Sequence, residues 1–518
     1  MKRIFYFFCC LIFLSLWSSC RKDFDFSPSK GQLSFSRDTI YLDTVFSNIG
    51  SSTYNLKVYN NSNEDIVIPS LQLQRGENSG YRLNVDGIPG KSFENIEILA
   101  KDSMYVFIET TIDYNDFKNT ENTYLYTDQI AFDSGANQQT IELVTLVQDA
   151  TFIYPSKDND GLIETLSVEV NGEVLESNIQ GRYLTDEELT FTNEKPYVIY
   201  GYAAVDNTKT LTINAGARLH FHANSGLFIA EGASIHVNGT YSNDQETLEN
   251  EVIFEGDRME PLFADIPGQW GTIWLFNNST NNHFNYATIK NATIGILSEG
   301  NPNEEKLTLT NTQIYNSSNF GILGRNTSIT ANNLVINNSG QTSFAATLGG
   351  KYNVTHSTIA NYWRSSFRQY PALLINNFEL DENDTAYLAD LNEANFNNCI
   401  IFGNDNPEFI IDELEDDAVV FNFKFTNCLA RFQKSASNNF DGSNYDFENT
   451  EHYENMILNE APDFKNPEEN ELIIGDNSAA KNAGSTLFSN LVPFDILNIN
   501  RTSNPDLGAY QHVIFEED

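Results

Sequence analysis

Cations are scarce in this sequence. Its 518 residues carry 30 Lys and Arg against 71 Asp and Glu, a formal net charge of −41. A surface of that sign repels phosphate backbones and anionic headgroups, which excludes nucleic-acid wrapping and electrostatic adhesion to a bilayer. Cysteine is equally sparse, with five in all. Cys9 and Cys10 lie in the leader and Cys20 directly after it, so only Cys399 and Cys428 are left for the fold. That excludes a disulfide-stapled module and a zinc cluster. Past the N-terminus no apolar run approaches the ~20 residues of a spanning helix. What is present is 40% hydrophobic and 13% aromatic content, ample for buried cores. The length predicts two to four domains of roughly 150 residues, or one domain followed by a repeat array.

The N-terminus reads as an address. Met1-Lys2-Arg3 is basic, residues 4–17 are apolar, and Ser18-Ser19-Cys20 follows. This is the layout of a secretory signal peptide over residues 1–19. The small residues before Cys20 resemble a bacterial lipobox, which implies cleavage there and acylation of Cys20. Arg21-Lys22-Asp23-Phe24-Asp25 resembles the acidic export tag of Bacteroidota surface lipoproteins. The expectation is an outer-membrane lipoprotein tethered through residues 20–30, displayed on the surface in preference to the periplasm.

Two regions of different periodicity follow. Residues 31–150 alternate as short strands, seen at Leu33/Phe35, Ile40/Leu42, Leu56/Val58, Ile66/Ile68, Tyr105/Phe107, Ile130/Phe132 and Ile141/Leu143. About seven strands with turn clusters between them predict an Ig-like β-sandwich. Residues 151–195 read as a transition. Residues 196–512 repeat. Ile213-Asn214-Ala215-Gly216-Ala217-Arg218-Leu219-His220-Phe221 aligns with Ile229-Ala230-Glu231-Gly232-Ala233-Ser234-Ile235-His236-Val237 at an offset of 16. Ile289, Ile314, Ile336 and Ile359 recur at steps of 25, 22 and 23, and Cys399-Ile400-Ile401 and Cys428-Leu429 continue the series. A step near 22 residues, with glycines and recurrent Asn suited to left-handed turns, predicts a right-handed parallel β-helix, a solenoid. The fold class expected is therefore all-β: an N-terminal Ig-like β-sandwich, then the solenoid.

Several peptides carry a resemblance: Lys195-Pro196-Tyr197-Val198-Ile199-Tyr200-Gly201, Phe221-His222-Ala223-Asn224-Ser225-Gly226-Leu227, Gly256-Asp257-Arg258, Asp265-Ile266-Pro267-Gly268-Gln269-Trp270-Gly271 and Asn361-Tyr362-Trp363. With the ending Asn482-Ala483-Gly484 to Pro505-Asp506-Leu507-Gly508-Ala509-Tyr510, the chain resembles uncharacterised β-helix lipoproteins of Bacteroidota. The resemblance implies architecture and address and brings no activity.

Four groups of residues are candidates for function. The stretch 361–370 concentrates Tyr362, Trp363, Arg364, Phe367, Arg368 and Tyr370, and with Trp274 it suits stacking on sugar rings and gripping carboxylate or sulfate. The opposing reading is a loop whose aromatics cap the core. Asp257, Arg258, Glu260 and Asp265 offer the acid, base and cation of a polysaccharide lyase or glycoside hydrolase. A charged turn with Asp257 paired to Arg258 explains them as well. His220, His222 and His236 are expected to face outward on stacked rungs, as solvated side chains and not as a metal site. The insertion 378–395, with Asp381 and Asp384, and the acidic run 412–417 read as projecting loops, solvated in preference to binding Ca. Cys399 and Cys428 are expected to stack as thiols in preference to bridging. Short Asp-Thr/Ser motifs such as Asp38-Thr39-Ile40 resemble Bacteroidota O-glycosylation sites. The function expected is a non-catalytic binding or structural module that engages polysaccharide or a cell-surface partner, with no cofactor. A polysaccharide-active enzyme is the alternative.

Overall fold

The computed structural model describes residues 26–113, 115, 123–170, 172–433 and 443–515. Over them the protein is all-β, and the sole α-helix among the described residues is the four-residue Thr486–Ser489. No helix among them is long and apolar enough to cross a membrane. The leader and Cys20 lie outside the described residues. The chain divides into two compact units, residues 1–149 and 150–518.

In the first unit two sheets share one core. One sheet orders Ser27–Pro28, Ile66–Leu73, Thr123–Phe132, Gln139–Gln148 and Thr39–Phe46, with Ser92–Ile98 on the second of these. The other orders Ser34–Phe35, Tyr54–Tyr59, Ser103–Thr110, Tyr81–Val85 and Ile88–Gly90, antiparallel throughout. Alternation sends Leu56, Val58, Val106 and Ile108 inward from one sheet against Ile40, Leu42, Ile130 and Leu143 from the other. Tyr81 is buried whole, and its hydroxyl donates to Tyr126 O at 3.1 Å and meets Thr145 Oγ1 at 3.0 Å.

The second unit is built on three parallel ladders that the chain visits in turn. The first begins at Tyr197–Ile199, Arg218–Phe221 and Val252–Gly256 and ends at Ile457–Leu458. The second runs from Tyr202–Val205 and Gly226–Ile229 to Phe409–Asp412. The third runs from Thr210–Asn214 and Ser234–Asn238 to Tyr453–Glu454. The inward residues of all three belong to one apolar core. Ile289, Ile314, Ile336, Ile359 and Ile401 are direct partners in successive strands of the first ladder, followed by Ala430. Residues 151–195 carry strands of their own: Thr151–Ile153 pairs with Tyr197–Ile199, the end of Glu173–Tyr183 with Tyr202–Val205, and Thr190–Phe191 with Thr210–Asn214. They complete the first circuit of the ladders.

The entry to the first ladder is a left-handed residue. Tyr286, Asn311, Asn333, His356, Asn398, Asn427 and Asn455 each stand three positions before an inward aliphatic or alanine, with φ between +43° and +54°. Five of the seven are Asn, the non-glycine residue that best tolerates this region. Their amides join successive rungs, as when Asn333 Nδ2 donates to Asn311 Oδ1 at 2.8 Å. A second row at Asn291, Asn316 and Asn338 does the same, with bonds of 3.3 and 2.6 Å.

The 16-residue offset has a different origin from the longer step. Ile213 closes a strand of the third ladder and His220 lies in the first, whereas Ile229 closes a strand of the second and His236 lies in the third. The shared motif is the corner, at Gly216 with φ +78° and Gly232 with φ +72°, which occurs more than once per circuit. His220 and His236 therefore do not stack. His220 is also buried, at 4% exposure, beside Glu255 and Gly256 of the next rung.

Two further expectations change. The insertion 378–395 is a projecting hairpin only in part, with Phe378–Leu380 antiparallel to Ala386–Leu388. Leu391–Asn397 is a third-ladder strand that buries Leu391, Ala394 and Phe396. Residues 459–515 add no rungs. They lie along the outer face of the first ladder, where Leu472, Ile474, Ile496, Leu507 and Ala509 pack on Val335, Ala360, Ile400, Phe402 and Leu429. The left-handed row holds them there. Asn398 exchanges two hydrogen bonds with the Ser485 backbone, of 3.0 and 2.9 Å, and Asn333 donates to Phe494 O at 3.0 Å. Arg501, 1% exposed, donates to His356 Nδ1 at 2.6 Å and to Asn333 Oδ1 at 2.9 Å. Cys399 and Cys428 are both buried free thiols.

His356 sets a pH dependence. Burial first, and the Arg501 guanidinium second, hold its imidazole well below the ordinary value, so the folded chain keeps it neutral. Below pH ~6.5 the unfolded chain takes up a proton that the folded chain does not, and stability falls by about 1.4 kcal/mol per pH unit. In His356→Asn, denaturant unfolding between pH ~6.5 and ~5 is expected to lose about one proton's worth of this slope. Parallel stability curves for the two proteins would remove His356 from the account.

Candidate functional site

The loop between Thr358–Asn361 and Leu373–Asn376 carries the aromatic and arginine-rich stretch, and it buries Trp363 and Arg368 while Arg364, Phe367 and Tyr370 stay exposed. Trp363 is 7% exposed, packs its ring over Gly340, and donates Nε1–H to Ser366 Oγ at 3.0 Å. Arg368 is 5% exposed and forms a two-pronged pair with Glu408, at 2.9 and 2.7 Å. It also donates to Tyr370 O at 2.7 Å and Asn404 Oδ1 at 3.0 Å. Glu408 accepts the backbone N–H of Ala372 at 2.9 Å and of Asp405 at 2.7 Å. Burial pushes its carboxyl up, against the downward pull of Arg368 and the two N–H donors. Arg364 pairs with Glu468, and Tyr362 packs edge-on to Phe464 of the C-terminal segment at 6.1 Å. Part of the expected sugar-gripping cluster is thus a corner brace, in which a buried arginine fork meets a carboxylate one rung away. Arg364, Phe367, 85% exposed, and Tyr370, 48% exposed, are left on the surface.

Trp274 stands apart from that loop, on the second ladder, and does not join it. It is half-buried, edge-on to Phe228 at 5.4 Å, and donates Nε1–H to Glu299 Oε2 at 2.6 Å.

The acidic group before Trp270 is divided among local partners. Asp257 Oδ2 meets His222 Nδ1 at 2.7 Å instead of pairing with Arg258. Arg258 bonds Glu260 at 3.1 Å and lies over the Phe263 ring at 3.9 Å. Asp265 accepts from Asn316 Nδ2 at 3.1 Å. The arrangement that sequence reading missed is the pair His222–Asp257, with the imidazole stacked on Tyr200 at 4.4 Å and half-exposed. Burial, then the Asp257 charge, pushes the Tyr200 phenol up to about 12. The adjacent ladder row continues it: Glu255 lies 3.6 Å from His220 Nδ1 and 2.8 Å from Lys290 Nζ. A carboxylate-oriented imidazole is a group that can move a proton. The ladder places Asp257 one rung above His222, across an offset of 35 residues that none of the repeat steps in the sequence announces.

Histidine stacking does occur, between His236 and His283, direct ladder partners with rings 4.0 Å apart. Among the described residues no three His, Cys, Asp or Glu side chains form a group that could hold a metal ion. Asp381 caps its own hairpin turn through the N–H groups of Asn383 and Thr385, both at 2.8 Å, and Asp416 accepts from Ala418 N at 2.8 Å.

No protein-family model matches the sequence, and no curated protein matches it. Among solved structures, part of the chain is similar to a PapD-like domain of human CEP192, at 12% identity and a TM-score of 0.16, covering 24% of this chain and 89% of that one. Another part is similar to a family 123 glycoside hydrolase from Clostridium perfringens, at 10% identity and a TM-score of 0.15, covering 22% of this chain and 26% of that one. At these scores neither likeness bears on what the chain does.

The brace gives a stability prediction. Arg368→Ala strands the Glu408 carboxylate in the interior and is expected to cost about 3–5 kcal/mol in urea unfolding of the second unit. Joint replacement by Arg368→Met and Glu408→Leu is expected to recover most of the loss. A loss under ~1 kcal/mol for Arg368→Ala would mean that the pair does not brace the corner.

Proposed function

We propose that this chain is a non-catalytic binding module of the cell envelope, anchored by lipid on Cys20 and displayed on the outer membrane, with the surface favoured over the periplasm. In this reading the first unit is an Ig-like β-sandwich that acts as a spacer. The second is a right-handed parallel β-helix whose flank meets a polysaccharide or a cell-surface protein. The three ladders visited in turn, with Asn at their corners, support the solenoid. The lipobox-like Ser18-Ser19-Cys20 and its likeness to Bacteroidota lipoproteins support the address. One observation carries the non-catalytic reading: each carboxylate of the proposed acid, base and cation set is engaged by a neighbouring side chain, Asp257 by His222, Glu260 by Arg258 and Asp265 by Asn316.

The half-exposed His222, held by Asp257 and stacked on Tyr200, favours a second reading: a polysaccharide-active enzyme that uses it as a general base.

One preparation tests both readings. The full chain carrying Cys20→Ser, incubated with a panel of neutral and acidic glycans, is expected to release neither reducing ends nor unsaturated sugars. Product that disappears in His222→Ala installs the enzyme reading in its place. Separately, Cys20→Ala is expected to move the protein from the membrane pellet to the soluble fraction, and an unchanged pellet would end the lipid-anchor proposal.

A further inference from the structure

The outward face of the second ladder carries an unbroken apolar row. Trp274 pairs with Leu297, Leu297 with Leu323, Leu323 with Ala345, Ala345 with Leu374 and Leu374 with Ile410. Their chain neighbours Ile273, Ile296, Ile322, Phe344, Leu373 and Phe409 are wholly buried in the core, so alternation points the row itself away from it. At its first end the row is covered by the protein's own rings, and Phe228 lies fully buried against Trp274 and Phe276 at 5.4 and 5.2 Å. Beyond Trp274 the four larger side chains, Leu297, Leu323, Leu374 and Ile410, are partly exposed, and Ala345 between them is wholly buried. Further exposed apolar groups flank its strands in the chain. Phe367 and Tyr370 precede Leu373–Asn376, while Leu380 and Leu414, 51% and 40% exposed, follow this strand and Phe409–Asp412. A contiguous apolar face of this kind marks an interaction site.

Charge selects what covers it. Glu299, Arg325 and Asp412 each stand two residues beyond a row member on the same face, and Arg325 is bridged at 2.6 Å to both Glu299 and Glu379. The hairpin after Asn376 adds Glu379, Asp381, Glu382 and Asp384, and the run 412–417 adds five acids. The two are tied together where Asn377 exchanges bonds of 3.0 and 2.9 Å with the Leu414 backbone. The edge of the face is therefore strongly acidic. A second copy of this chain, at −41, would bring the same sign to it. A glycan would need flat aromatic faces, and the exposed row is aliphatic past Trp274.

We infer that this face docks an amphipathic α-helix of a partner protein, apolar along one stripe and basic on its flank. The dimensions suit it. Six rungs at ~4.8 Å span about 24 Å, the length of roughly 16 helical residues, and the ~5.4 Å helical pitch offers one apolar group for nearly every rung. The inference deepens the binding-module reading and rests on it.

The probe is a labelled 18-residue designed helix with a leucine stripe flanked by lysines, and its control is the scrambled peptide of equal charge. Anisotropy with the full Cys20→Ser chain is expected to give saturable binding to the designed helix and at least about tenfold weaker binding to the scramble. Leu323→Glu is expected to weaken the designed helix about tenfold or more, and Leu323→Thr, which keeps a strand-favouring residue, by about threefold. Equal binding of the two peptides, no saturable binding, or affinity unmoved by both variants at an unchanged thermal midpoint overturns the inference. So does a self-association, or a glycan retention, that Leu323→Glu abolishes, since either assigns the face to another occupant. These outcomes are read without turnover, so they leave the test of the non-catalytic reading untouched.

Discussion

The left-handed corner is the constraint on which the second unit depends. A chain that must turn sharply every few residues and still deliver an aliphatic side chain inward uses backbone of positive φ at every entry to the first ladder from Tyr286 to Asn455. L-residues other than Asn, Asp and Gly pay for that conformation in sterics. Asn answers twice, because its amide also bonds to the amide one rung away and so ties the turn to its neighbour. Registration follows: once Asn311 and Asn333 are stacked, Ile314 and Ile336 have no choice of partner. The two exceptions, Tyr286 and His356, keep the φ without the amide. At His356 the ring nitrogen takes over the bonding role and receives Arg501.

From that registration come the two outer faces and their different treatments. On the first ladder the outward residues Val335, Ala360 and Phe402 are covered by residues 459–515, and the same left-handed side chains that fix the turns serve as cleats for that cover. The second ladder has an apolar outward row too; Trp274 and Phe276 roof its beginning over Phe228, Ala345 is buried within it, and the larger side chains beyond Trp274 stay partly exposed. The charged groups that enter the interior arrive with several partners each. Glu408 has the Arg368 fork and two backbone donors, and Arg501 is lodged among His356, Asn333 and two carbonyls.

How far the sequence could be read follows from which contacts are local. The step linking Ile289, Ile314, Ile336 and Ile359 is a direct imprint of ladder pairing, so the rungs were legible. The offset between Ile213 and Ile229 is an imprint of corner geometry, and a corner recurs within a circuit, which is why His220 and His236 were misplaced. The stretch from Tyr362 to Tyr370 looked like a binding surface because the partner that buries Arg368 lies forty positions on, at Glu408, across a hairpin and a third-ladder strand whose lengths no periodicity announces. The same blindness hid His222–Asp257: the two are distant in the chain and one rung apart in space. The closing segment was mistaken for more rungs because its apolar residues serve an outer face, and burial pattern alone does not distinguish outside cover from inside fill.

That closing segment orders events in time. Residues 333–430 form strands whose outer apolar side has no cover until residues 459–515 exist, and the bonds from Asn333, His356 and Asn398 reach forward to Phe494, Arg501 and Ser485. A ribosome delivers the cover after the strands it covers. Until then a nascent chain, or one cut before residue 459, carries a sticky flank on otherwise finished rungs, visible to chaperones and proteases, and the arrival of residues 459–515 works as a seal over that flank.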